Sequence, residues 1–350
     1  MSVQPLHLPA FCQALPKVEL HAHINGSMSP TTMETLRQRK LAQHPELADM
    51  IIRTDCSHES FTIASFFPLF KYIYLLTDDE SAVAYATRSI LEDFQAENTR
   101  YIELRTTPRA VETTGMTKDS YIRAILDTFD QYHWDNRPLL ARLILSVSRT
   151  DTLAAANETV DLALKYRDRG IVGVDLCHDP ERGDVSVILP ALRRAQAAGL
   201  PLTLHLGEIA AGLREEPLLL LDPHHSPPAR LGHATFLSAE ARTLLRSRQI
   251  PVEVCLTSNI LTKVVSSYDT HYVQDFRRDG IPFVPCTDDK GVFCCSLSHE
   301  YERLAQVLQL SERELFDISL KSIDYIFDPT GEVKDQLKAA WNEWADANPF

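Results

Sequence analysis

The chain has no run of basic residues, no CxxC pair and no apolar stretch long enough to cross a bilayer. Lys and Arg number 35 against 48 Asp and Glu, a formal net charge of −13. Neutralising phosphates along a polynucleotide needs clustered cations, so no nucleic-acid partner is expected. A small anionic substrate stays open, because a pocket can be locally positive. Seven cysteines is an odd number at spacings that suggest no disulfide framework, which fits reduced thiols and a cytoplasmic location. Residues 1–20 lack both a basic start and a long apolar segment, so neither a signal peptide nor a membrane partner is expected.

Several catalytic signatures are missing too. There is no GxGxxG after the first strand-like segment, no P-loop and no GxSxG elbow. His58-Glu59 and His299-Glu300 each lack the second histidine of HExxH. The zinc site of cytidine-type deaminases needs HxE and PCxxC; His44-Pro45-Glu46 is a stray half, and Pro285-Cys286 is followed by Asp289 where the second Cys should stand.

What the chain does have is a series of short apolar segments that read as strands. They cover residues 18–24, 100–106, 139–147, 171–176, 200–207, 229–234, 251–256 and 281–288. Helical patterns lie between them, as at 152–170 and 188–199. Alternation argues for a parallel sheet, and a count of eight for a closed α/β barrel of the (β/α)8 TIM type. The stretch 28–98 is too long for a plain crossover. It has a helix start at Ser29-Pro30 and an aromatic block, SFFPLFKYIYLLT (65–77), read as helix core in preference to ligand contact; an insertion there would sit over the barrel mouth. The C-terminal part reads as helices, with a capping box at Ser311 and Glu314 and packing tryptophans at 341 and 344. No repeat or linker is visible, so residues 1–350 are expected to form a single domain.

Potential metal ligands stand at the ends of these strands. His21 and His23 are two apart, so both face one side of the first strand; Leu20, Ala22 and Ile24 suit the helix layer, which leaves the histidines inside. Alone, the pair fits hydrogen-bonded core histidines as well as a metal. His205 ends a strand, and the Leu206-Gly207 turn lets Glu208 project into the same space as a proton shuttle; a helix N-terminal charge explains Glu208 equally but not its neighbouring histidine. His233 closes the next strand and, taken singly, fits a core role. Asp288 and Asp289 would repel in an apolar setting unless a cation intervenes. Together, three histidines and a carboxylate at coincident strand ends suit a catalytic divalent metal.

In order, LHAHINGS (20–27), HLGE (205–208), LGHA (231–234), CLTSN (255–259) and TDDKGVF (287–293) resemble the adenosine deaminase superfamily, from about residue 15 to 327. The likeness is nearest to its adenosine deaminase-like branch, through Asn25, ELRTTPR (103–109), PVEVCLTSN (251–259) and CTDDKGVF (286–293). It implies a zinc-dependent purine aminohydrolase, a monomer with one zinc per chain, that turns N6-methyl-AMP into IMP and methylamine. The alternative is deamination of adenosine or another 6-substituted purine. On this likeness His21, His23, His205 and Asp288 would hold zinc, Glu208 would protonate purine N1, His233 would help deprotonate water and Asp289 would bond N7. His23, Asn25, Tyr74, Thr106, Thr107, Pro108, Arg109, Ser148 and His178 would contact the nucleotide. Asn25 stands where true adenosine deaminases carry Asp, and an amide tolerates a phosphate that a carboxylate repels. Arg109 would meet the phosphate, with Lys290 a second candidate. Three positions depart from the branch: Tyr74 where it has His, Ser148 where it has Asp, and His178 where it has Gly.

Overall fold

The computed structural model describes residues 7–54, 66–135 and 137–350. His58-Glu59 and Ser65, the first residue of the aromatic block, lie outside them. Eight parallel strands pair in sequence order: β1 (Lys17–His23), β2 (Thr99–Thr106), β3 (Leu140–Ser148), β4 (Ile171–Cys177), β5 (Leu202–Leu206), β6 (Arg230–His233), β7 (Val252–Val254) and β8 (Phe283–Pro285). Each overlaps an expected segment. The last ends earlier than the sequence suggests, but the chain beyond it still nearly closes the barrel. Asp288 bridges to Ala22 in parallel fashion, its N–H donating to the His21 carbonyl at 2.7 Å and its carbonyl accepting from His23 N–H at 3.0 Å.

Period-two alternation sorts the strands cleanly. Leu20, Ala22, Ile102, Leu104, Val174, Leu176, Leu204 and Val252 are buried apolar residues, while the alternate positions carry charge into the barrel. There Arg230 bonds both Glu103 and Glu253 at 2.6 Å, and Arg105 bonds Glu253 at 2.7 Å. These four side chains are buried. Buried ions need partners on every side, and this network supplies them.

The expected helices form. Ser29 caps the helix Pro30–Lys40, its side chain accepting from Thr32 N–H, and Ser311 with Glu314 makes the capping box of Glu312–Ser322. The insertion after β1 also holds Phe70–Leu76 and Glu80–Gln95. The final helix, Glu332–Ala347, buries Trp341, whose indole N–H donates to Ser319 at 3.0 Å; Trp344 packs edge-on to Phe11. Cys12, Cys177, Cys255, Cys286 and Cys295 are free thiols.

Candidate active site

The C-terminal strand ends converge on a cavity of about 280 Å³. β1 delivers His21 and His23, β5 delivers His205, β6 ends on His233, and Asp288 follows β8. The His21 ring centroid lies 4.5 Å from that of His205 and 4.9 Å from that of His233. One ligand atom from each of His21, His205, His233 and Asp288 lies within 4.8 Å of all the others. His23 adjoins this group, with Nε2 at 3.2 Å from His205 Nε2 and 3.4 Å from Asp288 Oδ1. Four donors therefore cluster, with a fifth, His23, beside them.

Their far sides are fixed. His21 Nδ1 lies 2.8 Å from Glu253 Oε2, and His205 Nδ1 lies 3.0 Å from Asp175 Oδ1. A carboxylate on Nδ1 leaves the Nε2 lone pair facing the cavity, the arrangement a metal-ligating imidazole needs. His21 Nε2 is buried and makes no hydrogen bond among the described residues. Ser258, on the helix Leu256–Leu261, donates to Asp288 Oδ2 at 2.8 Å. Burial holds His23, His205 and His233 below the usual imidazole range, and so neutral. Against burial and the Arg105 charge, Asp288 and Glu253 draw the His21 pKa the other way, upward, as an anionic pocket suited to a cation would. The orphaned buried His21 nitrogen, three neutral imidazoles and a carboxylate fit a divalent cation that prefers N and O ligands.

Backbone geometry contributes as well. His233 (φ 61°), Asp288 (φ 62°) and His178 (φ 84°) all occupy the left-handed region, strain of the sort that collects at functional sites. Gly232 gives the His21 ring its room: a Cβ there would meet Cε1 at 2.7 Å. At Gly26 a Cβ would overlap the Asp289 carboxyl.

Two carboxyl groups flank the donors. Glu208 lines the cavity with Oε1 3.9 Å from His233 Nε2. Burial, then the charge of Asp288, pushes its pKa up to about 7. Burial likewise raises Asp289 well above the carboxylate range, helped by Asp288 and Glu208. Asp289 Oδ1 is buried with no hydrogen-bond partner among the described residues. Both groups can therefore present a proton to a heterocycle.

Of the expected nucleotide contacts, His23, Asn25, Tyr74, Thr106, Thr107, His178 and Asp289 line the cavity. Pro108, Arg109 and Ser148 do not. Arg109 turns instead to the insertion: Nη2 donates to the Thr77 carbonyl and hydroxyl at 2.7 and 2.8 Å, and the guanidinium lies 4.5 Å from the Tyr74 ring centroid. Thr77 in turn donates to Asn25 Oδ1 at 3.1 Å. The Ser148 hydroxyl pairs with Thr150. Lys290, the second phosphate candidate, is also outside the cavity, its ammonium paired with Glu97. The sequence reading missed Phe66, Phe67, Phe70, Lys71, Arg105 and Cys177 on the wall. For the aromatic block it favoured helix core over ligand contact, with a lid satisfying both; Phe66 is buried in the core, Phe67 and Phe70 pack against it, and all three also line the cavity.

Comparison with known proteins gives a consistent picture. The adenosine deaminase family model matches residues 16–340. An Arabidopsis thaliana protein named N6-mAMP deaminase is 39% identical, over 93% of this chain and 96% of its own length. The Homo sapiens N6-methyl-AMP deaminase is 38% identical, over 95% and 94%. A crystal structure of Arabidopsis ADAL complexed with GMP superposes with a TM-score of 0.87 at 39% identity, covering 97% of this chain and 99% of that one.

Proposed function

The chain belongs to the adenosine deaminase family, and on that premise we propose that it hydrolyses N6-methyl-AMP to IMP and methylamine at a zinc site. It is a hydrolytic deaminase acting on a C–N bond. The observation that carries the substrate reading is the pair of buried carboxyl groups, Glu208 and Asp289, that line the cavity beside the histidine cluster, both raised above the usual carboxylate range by burial.

In this reading His21, His23, His205 and Asp288 hold the ion, and His233 is left free as a base. Zinc bound there supplies the Lewis acidity that makes hydroxide available at neutral pH. The remaining work falls to side chains. Glu208 gives its proton to purine N1, which makes C6 electrophilic. Asp289, protonated, donates to N7, a pure acceptor; an ionised carboxylate there would repel it. His233 accepts the proton of the attacking water. Oxygen adds to C6, the tetrahedral intermediate collapses, and methylamine departs as a proton returns to its nitrogen. Phe66, Phe67 and Phe70 give the cavity an apolar lining, which lowers the local dielectric and strengthens each of these contacts.

Support for a nucleotide comes from Asn25, Thr106 and Thr107 on the wall, and from Lys71, which adds an ammonium to it. Arabidopsis relatives have been crystallised with GMP and with IMP. One observation favours the rival reading, a nucleoside substrate: Arg109 lies outside the cavity, with Nη2 donating to Thr77 and Nη1 to the Tyr74 carbonyl. Comparing kcat/KM for N6-methyl-AMP, AMP and adenosine separates the two. We expect N6-methyl-AMP to exceed adenosine by at least about tenfold, the value of one good charge-assisted contact; a preference for adenosine contradicts the nucleotide reading.

A further inference from the structure

Beneath the donor cluster lies a buried guanidinium that the proposed reaction does not use. Arg105 Nη2 sits 2.7 Å from Glu253 Oε2, and that same oxygen is 2.8 Å from His21 Nδ1. Its Nη1 sits 3.4 Å from Asp175 Oδ1, and that same oxygen is 3.0 Å from His205 Nδ1. Nη2 also donates to the Leu20 carbonyl at 2.5 Å, which ties the fork to β1. The other carboxylate oxygens are held separately. Glu253 Oε1 accepts from Thr203 and Arg230, and Asp175 Oδ2 accepts from Ser146.

We propose that Arg105 is a positioning residue that couples the two metal-facing imidazoles, His21 and His205, by clamping the carboxylates that orient them. The inference rests on the metal reading above. Each carboxylate fixes one tautomer, with the Nδ1 proton inward and the Nε2 lone pair toward the ion. Two buried anions would repel one another, and a planar fork between them offsets the repulsion and sets their angle. Without the fork, each carboxylate is freer to swing. That movement releases the Nδ1 contact and lets the ring present an N–H where a lone pair is needed.

Arg230 provides the control. It is equally buried and bonds Glu253 and Glu103, but not Asp175. If Arg105 only balances buried charge, the two arginines should behave alike. If it couples the ligands, Arg105, which reaches both carboxylates, should govern metal affinity more strongly than Arg230, which reaches one.

The test is zinc affinity, read by chelator competition on the full-length chain without turnover. Arg105→Met is expected to weaken zinc binding by about 10–100-fold, the range for loss of groups that orient ligands. Arg105→Lys, which keeps the charge but cannot span both carboxylates, should also lose affinity, though less. Arg230→Met, which loosens Glu253 alone, should cost distinctly less zinc affinity than Arg105→Met. Wild-type affinity in a cooperatively melting Arg105→Met protein, or an equal loss in Arg230→Met, overturns the proposal. Should Arg105→Met fail to fold, Arg105→Lys decides: unchanged affinity overturns the clamp and a loss supports it. A wild-type chain that takes up no zinc overturns the metal reading and the clamp with it, whereas a wild type and an Arg105→Met variant that bind equally overturn the clamp alone.

Discussion

Glu208 Oε1 lies 3.9 Å from Nε2 of His233, too far for a hydrogen bond and close enough for both to serve one small ring. The two sit on opposite sides of the proton problem. Glu208, raised to about 7 by burial, can give a proton, and His233, kept neutral by burial, can take one. Because Glu208 must be protonated to act, kcat/KM should fall as pH rises through about 7. Glu208→Gln should keep zinc, lose roughly 10²–10⁴-fold in kcat and no longer show that limb. Wild-type turnover by the variant would remove Glu208 from the mechanism.

The roles of His23 and His233 can be separated by metal content. Both adjoin the cluster, and the tightest foursome in space includes His233 in place of His23. The mechanism nevertheless needs His233 as a base. His233→Ala should therefore retain stoichiometric zinc while kcat collapses, and His23→Ala should lose zinc. Elemental analysis of both purified variants checks this; the reverse pattern would exchange their roles.

Much of this site was legible in the sequence because strands have period two and barrel strands end at one face. His21 and His23 share a parity, Leu20 and Ala22 take the other, and the structure sorts them that way. His205, Glu208 and Asp288 each stand at a strand end that pattern alone could locate. The groups that orient them were not legible. Glu253 and Asp175 read as single charges in short apolar runs, and nothing local tells that Glu253 meets a histidine 232 positions away. A usable signal existed: Glu19, Glu103 and Arg105 share the inward parity of their strands, and inward charge in a barrel must be paired. The aromatic block, which both packs on the core and lines the cavity, was only half legible for another reason. Periodicity identifies an apolar face but does not say whether core or cavity lies opposite it.

Lys71 is the cation the sequence reading overlooked on the cavity wall. A phosphate dianion in the cavity gains from it, and a neutral ribose hydroxyl does not. Lys71→Ala should raise KM for N6-methyl-AMP by about tenfold or less, the range for one partly solvated charge contact, and leave adenosine kinetics unchanged. Steady-state kinetics with both substrates checks the prediction; an equal effect on both would place Lys71 outside phosphate recognition.

Away from the cavity, Glu300 is buried with Oε1 lacking a hydrogen-bond partner among the described residues, while Oε2 accepts from Thr257 N–H. Burial raises its pKa to about 8. A raised folded value means that its contribution to stability is complete below the unfolded value near 4.5 and is lost as pH climbs to about 8. Glu300→Gln cannot ionise. The variant should melt near wild type at pH 5 and progressively above it toward pH 8, a gap on the order of 5 kcal/mol at most. Thermal melts across that range test the point, and a gap that does not grow with pH would contradict it.

The central claim is that distant strand ends hold one catalytic ion against a purine. Strip the purified chain with a chelator, then titrate zinc back while following methylamine release from N6-methyl-AMP. The account predicts an inactive apoprotein whose activity rises linearly and saturates at one zinc per chain; full activity in the metal-free protein, or saturation with no stoichiometric uptake, would contradict it.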